Sequence, residues 1–208
     1  MSSLLIALGL GFFIGAQHAF EPDHLAAVGA MLPDEPAAPR AAARGAWWGL
    51  GHGLSIALIG LPLILMGLEV PEHLEAAAEF TVALMLVGLG ARALYRAWRV
   101  RGGVEATAPS ALRSSLPVGL VHGLAGSGAA VVLATAQAPS QAGALVFLGV
   151  FVLGSTLSMA ATAGLLAMPM GRIVARPAGA LWLHVVSGLA SVAVGVAWGG
   201  PHVARWLA

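Results

Sequence analysis

The chain has 208 residues, 59% of them hydrophobic and only 9% charged, with a mean hydropathy of +0.89. That balance lies far from that of a soluble domain and makes lipid the solvent for most of the chain. The net charge of +1 points to no nucleic-acid partner, and the absence of cysteine excludes disulfides, thiolate metal sites and dithiol relays.

A helix needs about 20 apolar residues to cross a bilayer, and six stretches qualify: 4–30, 46–67, 79–98, 116–137, 142–168 and 180–199. The expected fold is all-α, a polytopic membrane protein of six transmembrane helices forming one transmembrane domain over residues 1–208. No basic residue precedes the first apolar run, which continues into a polar motif instead of an A-x-A-like cleavage site. The first helix is therefore expected to remain in the mature protein. Breakers mark the connectors: Pro33, Pro36 and Pro39; Pro71; Gly102, Gly103 and Pro109; Pro139; Pro169 and Pro177.

The basic residues are all Arg. Arg40, Arg44, Arg92, Arg96, Arg99, Arg101, Arg113, Arg172 and Arg176 gather in or beside the connectors after spans one, three and five, and only Arg205 lies on the other side. By the positive-inside rule those connectors are cytoplasmic, both termini face outward, and the host is the cytoplasmic (inner) membrane. The acidic connector with Glu69, Glu72, Glu75 and Glu79 then lies outside. Trp47, Trp48, Trp98, Trp182, Trp198 and Trp206 fall near span ends, as interfacial anchors do.

The chain carries signs of an internal repeat. Gly15-Ala16-Gln17-His18 matches Gly119-Leu120-Val121-His122 at an offset of 104, and Leu50-Gly51-His52-Gly53-Leu54-Ser55 matches Leu153-Gly154-Ser155-Thr156-Leu157-Ser158 at 103. Two half-repeats, about 1–100 and 116–208, would be joined by a cytoplasmic loop, 99–115. Three spans per half force opposite orientations, the inverted repeat of many secondary transporters. Most of the 28 glycines are read as close helix packing.

Chemistry concentrates in the first span, in His18-Ala19-Phe20-Glu21-Pro22-Asp23-His24. An Asp near the bilayer centre costs about 2.5–3.5 kcal/mol on insertion scales, so something must offset it. Imidazole with carboxylate suits nickel, cobalt or zinc, whereas magnesium or calcium calls for oxygen alone. On an unbroken helix His18 would lie about 140° from Asp23 and about 120° from His24. Pro22 disfavours helix through this point, and a kink or unwound turn there would bring the three side chains together. The purely structural alternative has His24 capping a helix end and His18 bonded to a neighbouring helix.

His52 in span two is the next candidate ligand, with Ser55 on its face, and His122 in span four is the repeat partner of His18. Weaker candidates are Gln17, Glu21, Ser127 and His184; Ser155 and Ser158 read as helix-to-helix hydrogen bonders. His73 and His202 are expected to be solvated.

The spacing H-x-x-x-x-D-H from His18 to His24 resembles the signature of the nickel/cobalt transporter family, NiCoT or NicO. Leu50-Gly51-His52-Gly53 is similar to that family's second motif, and His122-Gly123-Leu124-Ala125-Gly126-Ser127-Gly128 to a motif of UreH-like urease accessory membrane proteins. The resemblance implies that His18, Asp23 and His24 serve metal uptake with help from His52, the ion being cargo and no cofactor being required. It also implies a secondary transporter of Ni2+ or Co2+. The alternatives are a UreH-like accessory protein handing metal to a urease or nickel-enzyme maturation partner, and a LysE-type small-solute exporter. An enzyme is not expected: Ser127 and His184 resemble a rhomboid dyad, but Ala125 breaks the G-x-S-G motif.

Overall fold

A computed structural model describes residues 2–35, 37–102, 112–138 and 140–207. Pro36, Gly103, Pro109, Pro139 and most of the connector 99–115 lie outside the described residues. Seven α-helices follow in order among the described residues: α1 (Ser2–His18), α2 (Pro22–Met31), α3 (Ala38–Met66), α4 (Glu72–Arg101), α5 (Leu116–Gln137), α6 (Gln141–Val174) and α7 (Pro177–Leu207). Short 3-10 turns at Leu32–Asp34 and Leu112–Ser115 precede α3 and α5. No strand occurs among the described residues.

Helices α3 to α7 are long and apolar enough to cross a membrane. The first expected span is instead two helices, α1 of 17 residues and α2 of 10. Pro22 explains the division. It occupies the first turn of α2, where its missing N–H costs nothing, and Glu21 before it is extended, with φ −62° and ψ 149°. The last turn of α1 tightens into short-range bonds, Phe20 N to Gln17 O at 2.9 Å and Glu21 N to His18 O at 3.1 Å.

The long helices mostly overrun their apolar windows because they continue through the interfacial layers on charged ends: Arg40 and Arg44 begin α3, and Arg99 and Arg101 end α4. Pro169, expected in a connector, sits inside α6. A transmembrane helix tolerates such a proline when local adjustments satisfy the freed carbonyl. Pro71 and Pro177 do mark the starts of α4 and α7. Helix α3 ends at Gly67, whose φ of +64° is the left-handed conformation that suits glycine.

Four helix pairs lie in backbone contact. Helix α1 packs on α6, and α3 packs on both α5 and α6; α4 packs on α7. A side chain at Gly15 would collide with the Phe151 backbone, and one at Gly154 with that of Phe12. A side chain at Gly119 would meet the Trp48 carbonyl, and one at Gly51 that of Leu116. These four glycines set how closely α1 meets α6 and α3 meets α5, and the first-span break opens beside both contacts.

Candidate metal centre

The break turns the end of α1 and the start of α2 toward one point. His18 closes α1, and Asp23 and His24 open α2. His52 comes from α3 and His122 from α5, and the close α3–α5 contact brings their rings into the same space, centroids 5.7 Å apart. His24 lies among the others, with ring centroids 4.5 Å from His18, 5.0 Å from His52 and 4.1 Å from His122. His24, His52, His122 and Asp23 are buried, and His18 is partly so.

Two sets of groups have ligand atoms within 4.8 Å of one another: His18, His24 and His52; and Asp23, His24 and His122. Their bonding separates them. Asp23 is already engaged: Oδ1 lies 3.0 Å from His24 Nδ1 and accepts from the His24 backbone N–H at 2.8 Å, while Oδ2 lies 2.9 Å from His122 Nε2. Glu21 Oε1 lies 2.8 Å from His18 Nδ1. A ring that donates from Nδ1 to a carboxylate carries its lone pair on Nε2.

The consequence is visible at the other ring nitrogens. His24 Nε2 is buried without a hydrogen-bond partner. His18 Nε2 faces His52 Nε2 at 3.2 Å. For that contact to be a hydrogen bond, the proton must sit on His52 Nε2, since His18 spends its own on Glu21. A cation in the place of that proton would be shared by both rings. Three imidazoles, two of them backed by carboxylates, fit a borderline transition metal.

A cavity of about 520 Å³ reaches this point, lined by Ile14, Gln17, His18 and Glu21 on the first-span side and by Gly126, Ala129 and Leu133 of α5. Gln17 and Glu21 thus border the approach to the rings. Ser127 donates to Gly123 O at 2.7 Å, a bond within its own helix. His184 lies on Asp34, with Nε2 3.3 Å from Oδ1, and its Nδ1 donates to Ala180 O at 2.8 Å. Neither belongs to the imidazole cluster. Ser158 donates to Ala16 O and Ser55 to Leu120 O, both between helices, whereas Ser155 bonds Val152 O within α6.

Two expectations are corrected. Trp48 is not an interfacial anchor: it is 1% exposed, and its ring stands 5.5 Å from that of His24 and 5.6 Å from that of His122. Neighbouring residues on a helix point about 100° apart, so Trp47 faces outward while Trp48 enters the core. His202 is buried as well, because α7 continues past residue 199 and brings it within 3.0 Å of Glu79. His73 is exposed, as expected.

One polar cluster carried no sequence motif. Asp34 accepts from Arg92 at 2.6 Å and Arg96 at 2.8 Å, both on α4. Buried Glu35 accepts from Arg40 at 2.8 Å and Arg44 at 3.2 Å, both on α3. Burial alone would raise the pKa of Asp34, but His184, Arg92 and Arg96 outweigh it and hold the carboxyl below its ordinary value. The available signal was Asp34-Glu35 standing at the end of a span amid the very arginines that report topology.

The chain is 29% identical over 178 residues to the urease accessory protein UreH of Bacillus sp. (strain TB-90), a match covering 80% of this chain and 78% of that one. The chain is similar to this urease accessory protein over most of its length. By its helices the chain is a multi-pass membrane protein. It is also 29% identical over 178 and 174 residues to two Arabidopsis thaliana proteins, chloroplast proteins FOR GROWTH AND FERTILITY 1 and 2, of whose length it spans 48% and 46%. No family model and no solved structure matches the chain.

Proposed function

We propose that this protein is a secondary transporter of Ni2+ or Co2+ in the cytoplasmic membrane, holding the ion at the break in its first span through Nε2 of His18, His24 and His52. The observation that carries the reading is the partnerless, buried His24 Nε2 beside the facing His18 and His52 nitrogens. A buried polar atom left unpaired costs about 1–3 kcal/mol, and a metal ion would satisfy it. Asp23 and Glu21 act behind the rings: they fix the tautomers of His24 and His18 and raise their basicity, as carboxylates do behind metal-bound histidines. His122 completes the hydrogen bonding of Asp23.

Alternating access between two inverted halves fits the packing. Gly15 meets Phe151 and Gly119 meets Trp48; Gly154 meets Phe12 and Gly51 meets Leu116. Each contact turns into its counterpart when residues are exchanged at offsets of 103 or 104, the same offsets that align the motifs. This supports the repeat reading and gives the two halves equivalent sliding contacts.

Similarity to a urease accessory protein supports a nickel-related role and favours one second reading, delivery of metal to a maturation partner. Metal accumulation in cells expressing the chain alone separates the two. Nickel or cobalt content should change on expression and revert with His24→Ala or His52→Ala at equal protein level. Unaltered metal content with intact expression rejects autonomous transport, and failure of the purified chain to bind nickel rejects the tri-imidazole site.

A further inference from the structure

Gly126 stands where the cavity meets the imidazoles. It lines the cavity on α5, and a methyl group there would sit 3.5 Å from His18 Nε2, 3.7 Å from His18 Cε1 and 3.8 Å from His52 Cε1. Its neighbours on the same helix differ. A side chain at Gly119 would run into the Trp48 carbonyl and one at Gly123 into the His52 carbonyl, so helix packing requires glycine at both. At Gly126 every nearby atom lies at ordinary van der Waals distance. Alanine fits, and packing gives no reason for its absence.

We propose that Gly126 keeps the fourth side of the His18/His24/His52 site open to the cavity. The inference rests on the tri-imidazole reading. Ni2+ and Co2+ accept more than three ligands, and a site that must exchange its occupant keeps a position for water. A metal–imidazole bond is about 2.0–2.1 Å and a coordinated water lies a similar distance beyond. A methyl carbon 3.5 Å from His18 Nε2 therefore occupies the room of that water. The bare backbone of Gly126 leaves this room and lets the ion pass to the rings without shedding its whole hydration shell.

The test compares the full chain with Gly126→Ala and with Gly149→Ala, a glycine of α6 whose Cβ would meet nothing within 4 Å. The Gly149 variant controls for the general effect of alanine in a membrane helix. Nickel titration of the purified proteins in detergent should show binding by the parent and by Gly149→Ala, and binding at least tenfold weaker by Gly126→Ala with unchanged thermal melting. Parent-like binding by Gly126→Ala overturns the inference while leaving the three-histidine site standing. A Gly126→Ala protein that fails to fold also overturns it, because the glycine would then be a packing residue. If the parent itself binds no nickel, the site reading falls and this inference with it.

Discussion

Asp23 carries more bonds than any other side chain at the centre. Its two oxygens serve His24 and His122, while the other His24 ring nitrogen has no hydrogen-bond partner. Replacing it by Asn keeps the shape but substitutes an NH2 group for one acceptor oxygen, so one of the two imidazoles loses its partner. Loss of such a carboxylate behind a metal ligand typically costs ten- to a hundredfold in affinity. Asp23→Asn should therefore weaken nickel binding by about that factor, and X-ray absorption of the residual complex should show an all-nitrogen protein shell. A metal-bound carboxylate oxygen in the parent spectrum would make Asp23 a ligand instead. The identities His18, Asp23, His24, His52 and His122 were legible because ionisable groups in lipid-grade helices need partners. The division of labour among them was not, since a spacing cannot tell which nitrogen of a ring a carboxylate engages. Trp48 was missed for a related reason: next to Trp47 and near a span end it looks like an anchor, and only the rotation of α3 distinguishes the two.

The break between α1 and α2 belongs to the scale of the element. Proline inside a helix costs roughly 3 kcal/mol, and here the chain avoids that cost by restarting the helix at Pro22. With Pro22→Ala, a continuous helix becomes available, on which His18 and His24 diverge by about 120°. Nickel affinity should fall at least tenfold, while membrane insertion persists because the apolar stretch is unchanged. Affinity equal to the parent's would show that tertiary packing, not proline, holds the break. The sequence made the interruption readable through Pro22, but not its extent, because the Ala19–Phe20 turn has no breaker of its own. Helix lengths were likewise underestimated: hydropathy marks the hydrocarbon segment and is silent about helix that continues through charged ends, such as Arg40 and Arg44 in α3. Pro169 shows the opposite error, a breaker residue that α6 absorbs.

At the scale of the whole molecule, the cavity and the carboxylate–arginine cluster take opposite sides of the imidazoles. Under the arginine-based topology, Leu133 and Ala129 lie on the outer half of α5, so the cavity opens outward. Asp34 and Glu35 tie the end of α2 to α3, α4 and α7, which the same topology would put on the cytoplasmic side. On the proposed transport reading, such an arrangement would be an outward-open state closed inside by ion pairs. Because the chain has no cysteine, a single Leu133→Cys substitution gives a clean reporter. An impermeant thiol reagent applied to intact cells should label it. Adding Asp34→Asn removes one acceptor charge from Arg92 and Arg96, weakens the inner closure and shifts the population away from the outward-open form. Labelling should then slow at least twofold. A reporter that reacts only from the cytoplasmic side reverses the topology, and an unchanged rate in the double variant denies the Asp34 cluster any part in closing the inner side.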